Sequence, residues 1–432
     1  MLFNYSFGRE LSKHTHNKKS YSSKTLLTAG VIFNLGLLGY FKYSDFFIAN
    51  INKATDSHIP LLELALPLAI SFYTFQQIAY LVDSYRSETK EYDFLNYAVF
   101  VTFFPQLIAG PIVHHAEMMP QFAQVKNKVK NYRNIALGLF IFSIGLFKKV
   151  IIADSFAMWA TQGFDVERTL NMLEAWFTSL SYTFQLYFDF SGYTDMAIGI
   201  ALLFNIKLPI NFFSPYKATS IQDFWRRWHI TLSRFLKDYI YIPLGGNRKG
   251  EVRTYTNLFA TFLLGGIWHG AGWTFVFWGF LHGMALVIHR LWQKIGLRMP
   301  KILAWFITFN FINIAWIFFR AKEWEDATKV LYAMFNFDST LFSKSKQFSH
   351  MTNYVSPLSE YIKVNSVNYT FGLIVLGFIL TLYFKNSNQL NEKFNTMRTI
   401  PITWVLFTVL MLGISLIFTV TNTSSEFLYF NF

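Results

Sequence analysis

The chain contains no cysteine, which removes disulfides, thiolate zinc ligands and a cysteine nucleophile from the possible chemistry. Charge is also scarce: charged residues make up 15% of the 432 residues, against roughly 25% in soluble domains. What charge there is leans to one sign, with a formal net charge of +13. No separate soluble segment carries that excess, so it reads as basic loops beside a membrane and not as a nucleic-acid surface. Neither a Gly-x-Ser-x-Gly elbow nor a phosphate-cradling Gly-rich loop occurs. A serine acyl-enzyme and a nucleotide-driven pump are disfavoured accordingly. Residues 1–24 are polar and basic with no apolar core, so they are not read as a cleavable signal peptide.

What abounds is apolar surface: 53% of residues are hydrophobic, 20% are aromatic, and 50 are Phe. Several runs approach the ~20 residues that cross a bilayer, and such spans must be helical because lipid offers backbone groups no partner. The reading is an all-α, polytopic membrane protein with roughly ten apolar segments. Residues 1–24 are a polar N-terminal segment and 25–432 one membrane domain. The segments are Thr25–Ala49, Leu61–Val82 (bent or broken at Pro67), Tyr97–Ile112, Ile135–Trp159, Glu174–Leu203, Tyr255–Trp268, Trp273–Trp292, Lys301–Phe319, Tyr369–Phe384 and Trp404–Val420, with a shorter run at Ala327–Phe337. Lys18, Lys19 and Lys24 place the flank before the first span on the cytoplasmic side. Pro105, Gly110 and Pro111 predict irregular backbone at the end of the third segment. Lys148 and Lys149 either snorkel from a helix end or split the fourth.

The chemistry concentrates in residues 220–283. Ser220, with Asp223 three residues on, predicts a helix N-terminus. Phe224, Trp228, Leu232, Phe235 and Tyr239 then share one face, the pattern of a helix lying in the membrane interface. His229 falls at the border of that face. His269 and His282 lie in apolar surroundings rich in Gly and Trp, where an imidazole needs a partner. They are 13 residues apart, roughly 140° around one straight helix. Either Gly270 and Gly272 break the helix or the two histidines do different work. For each the plainer alternative is a core histidine bonded to a neighbouring carbonyl. A dry site favours the uncharged imidazole, which suits general-base chemistry. His269 is therefore read as a base that deprotonates an acceptor hydroxyl for attack on an acyl ester or thioester.

Asp189 and Asp195, inside the apolar run 174–203, are secondary candidates; the alternative is an interfacial loop between two short helices. His14, His16 and His350 sit in polar stretches and read as solvated bystanders. His114 and His115 have no carboxylate or thiol cluster at ligand spacing beside them, so no metal is expected.

At these residues the chain resembles a known family. FDFSGYTDMAIGIALLFNIKLPINFFSPY, FWRRWHITLSRFLKDYIYIPLGGNR and GGIWHGAGWTFVFWGFLHG are similar to the membrane-bound O-acyltransferase superfamily, in particular its alginate and peptidoglycan O-acetylation branch. The teichoic-acid D-alanylation proteins are more distant. LPLAISFYTFQQIAYLVDSYR, FFPQLIAGPIVHH, IAWIFFRA and the closing FLYFNF carry the likeness over nearly the whole chain. The resemblance implies many helices around a central tunnel or funnel, with His269 in the position of the family's catalytic histidine and His229 at the second site position. It further implies an acetyl donor on the cytoplasmic side, acetyl-CoA, with no bound cofactor. A periplasmic or surface acetyltransferase partner would place the group on a polysaccharide, and the protein would sit in the bacterial cytoplasmic (inner) membrane. Arg226, Arg227 and Trp268 are the expected donor contacts, on the ground that a basic surface attracts an anionic donor. Proteins of this branch usually carry further apolar spans before the segment matching Thr25; the chain reads either as a shortened form, with part of the outer helical wall missing, or as one begun at an internal Met. Two readings without acyl transfer stay open on the residues alone: a transporter built of half-helices, and a non-catalytic scaffold of a polysaccharide synthase.

Overall fold

The structure, a computed structural model, describes residues 1–13, 21–89, 93–108, 110–336, 366–421 and 428. His14, His16 and His350, most of the polar 339–368 stretch and most of the closing FLYFNF lie outside the described residues. Among those described, helix is the only regular structure and no strand occurs.

In chain order the helices are α1 (Leu2–Lys13), α2 (Tyr21–Leu38), α3 (Ser44–Thr55), α4 (Ile70–Arg86), α5 (Phe94–Thr102), α6 (Phe104–Leu107), α7 (His115–Phe122), α8 (Tyr132–Phe147), α9 (Asp154–Thr161), α10 (Met172–Leu203), α11 (Ile221–Trp225), α12 (Ile230–Leu236), α13 (Glu251–His269), α14 (Trp273–Ile295), α15 (Lys301–Arg320), α16 (Trp324–Phe335), α17 (Ser366–Leu382), α18 (Ser387–Thr396) and α19 (Ile402–Thr421). Wider π turns join α2 to α3 at Gly39–Tyr43 and α8 to α9 at Lys148–Ala153. Among the described residues, five stretches are long and apolar enough to cross a membrane: Ser22–Thr55, Tyr132–Val166, Trp273–Ile295, Lys301–Arg320 and Ile402–Thr421. The pair Tyr369–Leu382 and Ser387–Thr396, bent by 46°, makes a sixth if it counts as one span. The expected ten segments thus resolve into fewer full crossings. Pro67 does break the second segment, for residues 61–67 are irregular and α4 begins only at Ile70. The third is cut into α5 and the single turn α6 before the Pro-Gly stretch.

Two features shape the interior. Residues 174–203 form one segment, as expected, and not the alternative of two short helices around a loop. They lie within α10, one helix of 32 residues whose start is fixed by a capping box between Asn171 and Glu174. Lys148 and Lys149 neither snorkel nor split their segment; they turn inward from the π turn and meet α10. Helices α8 and α10 approach closely because glycine faces backbone at two levels. A Cβ on Gly138 would lie 2.6 Å from the Gly199 carbonyl oxygen, and one on Gly145 would lie 2.5 Å from that of Gly192. Small residues permit this kind of contact where no hydrophobic drive separates lipid from protein. At the other extreme, α19 leaves Leu406, Val409, Leu410 and Ile417 exposed, as a helix facing hydrocarbon must. Helix α1, within the polar N-terminal segment, packs against the domain: Leu11 is buried, and Asn4 and Asn34 exchange amide hydrogen bonds at 2.7 and 3.0 Å.

Candidate active site

The site is built where α13 ends. Its last residue is His269, and Gly270 leaves the helix in extended backbone with φ −159°. Gly270 and Gly272 therefore break the run, and α14 restarts at Trp273. The two helices lie against each other through Gly266 and Gly279. A Cβ on Gly266 would stand 2.5 Å from the Phe275 carbonyl oxygen, and one on Gly279 would stand 2.6 Å from that of Phe262.

A helix C-terminus exposes carbonyls with no partner inside the helix. Here α2 supplies the partners from its π turn. Lys42 Nζ donates to the carbonyls of Trp268 at 2.7 Å and His269 at 3.0 Å, and to Ser71 Oγ at 3.2 Å. The Tyr43 hydroxyl donates to the Ile267 carbonyl at 2.6 Å. The backbone that carries His269 is thus held by consecutive residues more than two hundred positions earlier. Its imidazole is 4% exposed, so it does not face lipid. It is walled by rings: Trp268 at 4.9 Å, Phe319 at 5.0 Å and Trp278 at 5.1 Å between centroids.

His229 reaches the same neighbourhood by a different route. The expected single helix over 220–239 does not form. Ser220 caps α11 as predicted, its hydroxyl accepting from Asp223 N at 3.1 Å, but α11 stops at Trp225. His229 adopts the left-handed conformation, φ 42° and ψ 55°, before α12 begins. A residue with a Cβ rarely takes this conformation, and it costs of order 1–3 kcal/mol when surroundings impose it. The surroundings are the connector 208–215, which lies alongside. Phe213 N donates to the Arg227 carbonyl at 2.9 Å and Ile230 N to that of Asn211 at 3.0 Å. Nor is the apolar face of this stretch left for lipid to cover. Phe224, Trp228, Leu232 and Phe235 are all buried at 2% exposure or less. A helical wheel supplies the apolar face but not what covers it, and here protein does.

The His229 ring is fully buried, 4.8 Å from Phe190 and 6.5 Å from Phe72. Phe72 in turn sits 5.6 Å from Trp268. Phe72 and Trp268 thus link the His229 ring to His269, and Lys42 reaches the His269 carbonyl. His282, on α14, lies 4.6 Å from Trp278. Its Nδ1 accepts from the Trp225 indole N–H at 3.2 Å. It is a buried histidine with a partner, although that partner is an indole and not the carbonyl expected.

The remaining candidates stand apart from this cluster or in its wall. Lys149 meets Asp189 at 2.8 Å and Asp154 at 2.8 Å, and Lys148 meets Asp195 at 2.6 Å. Asp195 also accepts from Ser387 Oγ at 2.7 Å, and Asp189 from Leu428 N at 3.2 Å. These hydrogen bonds tie α8, α10 and α18 together and do not run to the histidines. Arg227 is held by Asp223 at 2.9 Å, while Arg226 is exposed. Trp268 is buried, stacked on Phe75 at 4.5 Å with 12° between the planes. His114 bonds the Tyr239 hydroxyl at 2.8 Å beside Asp83, and His115 packs on Phe100 and Tyr80.

The site thus centres on a buried histidine at a broken helix end. The family model of membrane-bound O-acyltransferases matches residues 20–322. The chain belongs to that family. Among its relatives, the peptidoglycan O-acetyltransferase of Helicobacter pylori is 53% identical, covering 100% of this chain and 86% of that protein. A probable alginate O-acetylase of Pseudomonas aeruginosa is 38% identical over 91% of this chain and 73% of its own. The teichoic acid D-alanyltransferase of Streptococcus thermophilus is further off, 28% identical over 58% of this chain and 68% of its own. This member of the O-acyltransferase family is therefore a multi-pass membrane protein with bacterial homologues.

Four residues that frame the site escaped the reading of the sequence: Lys42, Tyr43, Asn211 and Thr231. For Lys42 a signal existed, since it is a lone lysine inside an apolar span, and such a charge marks a site by default. For Asn211 and Thr231 none did, because nothing in LPINFF or WHITL says that they meet.

Proposed function

We propose that the chain is an O-acetyltransferase component acting on an extracytoplasmic polysaccharide, with peptidoglycan as the first candidate. It takes acetyl from acetyl-CoA on the cytoplasmic side of the bacterial inner membrane. A partner acetyltransferase outside the membrane then completes placement on the glycan. The observation that carries this reading is 53% identity over the whole chain to a peptidoglycan O-acetyltransferase.

The site supports a histidine-dependent reaction. His269 stands at a fixed helix end, shielded from lipid among Trp268, Trp278 and Phe319, with His229 joined to this wall through Phe72 and Trp268. In this reading His269 takes the proton of the accepting hydroxyl as that oxygen bonds to the acetyl carbon. The proton then passes to the departing thiolate when the carbon–sulfur bond breaks. The tunnel implied by the family would bring donor and acceptor to this point from opposite faces, and Arg226 and Arg227 would favour an anionic donor on approach.

The test is acetyl transfer from radiolabelled acetyl-CoA to cell-wall glycan in membranes that also contain the partner. His269→Ala is expected to lower transfer by about 10²–10⁴-fold, the usual contribution of a positioned base, while the amount of inserted protein stays constant. Undiminished transfer in that variant would overturn the histidine-dependent mechanism. No labelled glycan from the unaltered protein would overturn the assignment of donor or acceptor.

A further inference from the structure

The two nitrogens of His229 have unequal surroundings. Nδ1 lies 3.1 Å from Asn211 Oδ1, whereas Nε2 is buried and has no hydrogen-bond partner among the described residues. The same Asn211 oxygen receives the Thr231 backbone N–H at 3.2 Å and the Thr231 hydroxyl at 2.9 Å. That hydroxyl is free to donate because its own oxygen accepts from Ile112 N at 3.0 Å. Asn211, His229 and Thr231 are all at most 2% exposed.

These contacts settle which atom is which. A backbone N–H only donates, so the amide atom facing Thr231 N is oxygen and not nitrogen. An oxygen there only accepts, so the histidine nitrogen opposite it carries the hydrogen. A neutral imidazole has one N–H, which leaves Nε2 with a lone pair. Burying that lone pair with nothing to accept is costly. A buried orphan of this kind calls for an explanation, and a ligand hydroxyl supplies one.

We infer that Asn211, braced by Thr231, is a positioning residue that locks His229 as its Nδ1–H tautomer, so that Nε2 accepts the hydrogen bond of a second, non-reacting hydroxyl of the acceptor and thereby presents the reacting hydroxyl, its proton free, to His269. The inference rests on the acyl-transfer reading and sharpens it. A neutral His229 in this tautomer has no N–H at Nε2 to offer a developing oxyanion, so orienting the acceptor is its role.

The tautomer is directly measurable. Full-length protein with ¹⁵N-labelled histidine in bilayers would be studied by solid-state NMR, with His229 assigned by difference against His229→Gln. The expected spectrum shows His229 protonated at Nδ1 and bare at Nε2. Asn211→Leu, similar in size but with no acceptor, is expected to abolish that preference. It should lower kcat for acetyl transfer by about 10–100-fold, the usual effect of removing an outer partner of a functional histidine, with KM for acetyl-CoA little changed. Asn211→Asp keeps an acceptor oxygen and is expected to restore both the tautomer and most of the rate. A wild-type His229 protonated at Nε2 overturns the inference, as does Asn211→Leu with an unchanged tautomer. Should Asn211→Leu fail to fold, the wild-type and Asn211→Asp spectra still decide. If His229→Gln and His269→Ala both transfer acetyl normally, the acyl-transfer reading itself fails, whatever the spectra show.

Discussion

Three imidazoles share one aromatic interior, and their neighbours separate their work. His269 ends a helix, His229 sits in a strained turn, and His282 accepts the Trp225 indole N–H from the middle of α14. The bond to Trp225 gives His282 a structural role through Nδ1, although its Nε2 is also buried with no partner among the described residues. His282→Leu would leave the buried Trp225 N–H with no acceptor, at a cost of about 1–3 kcal/mol. The expected result is a lower thermal midpoint in detergent but acetyl transfer, per folded molecule, well above that of His269→Ala. Equal loss in the two variants would place His282 in the chemistry. The importance of these side chains was legible from residue types alone, because imidazole in an apolar run needs a reason. Their division of labour was not, since it depends on contacts from Trp225, Asn211 and Lys42, which lie tens to hundreds of residues away.

In the proposed mechanism the C-terminus of α13 is where packing bears on the reaction. Its last carbonyls would be orphans in a dry interior, and Lys42 and Tyr43 occupy them. Lys42→Met keeps the length and apolar stem but removes the donors. The freed carbonyls let the final turn move, and a shift of about 1 Å at a reacting group costs on the order of 10²-fold in rate. The expected outcome is a fall in kcat with the protein still inserted, partly recovered in Lys42→Arg; transfer at the original rate in Lys42→Met would show that the clamp has no catalytic consequence. Legibility at this scale was uneven. The break at Gly270 and Gly272 and the Ser220 cap follow from local rules, and both are present. The break at His229 does not, because its left-handed backbone is imposed by the 208–215 connector and histidine itself has little preference for it. Periodicity over 224–239 was therefore real but belonged to two short buried helices and a π turn, not to one interfacial helix.

Across the whole molecule, the question is what holds a helical membrane protein together when lipid is as apolar as its own core. One answer is close backbone contact at the glycine levels of α8 and α10. Another is the set of ions at the same interface. Asp189 and Asp195 were legible as costly carboxylates inside an apolar run, and Lys148 and Lys149 as awkward cations in another; what sequence separation hid was that each pair answers the other. A buried pair adds little net stability beside an apolar replacement, but removing one member leaves an uncompensated charge at a cost of about 3–5 kcal/mol. Asp195→Leu is accordingly expected to destabilise the protein sharply, stranding the Lys148 ammonium, and to loosen the Ser387 contact that draws α18 to α10. Lys148→Met added to it removes the stranded charge and is expected to regain much of the lost thermal midpoint, with acetyl transfer recovering alongside the folded fraction. If the double variant is no more stable than Asp195→Leu alone, the pairing is not what the two charges are for. If stability returns while transfer does not, one of the two takes part in the reaction as well as in the fold.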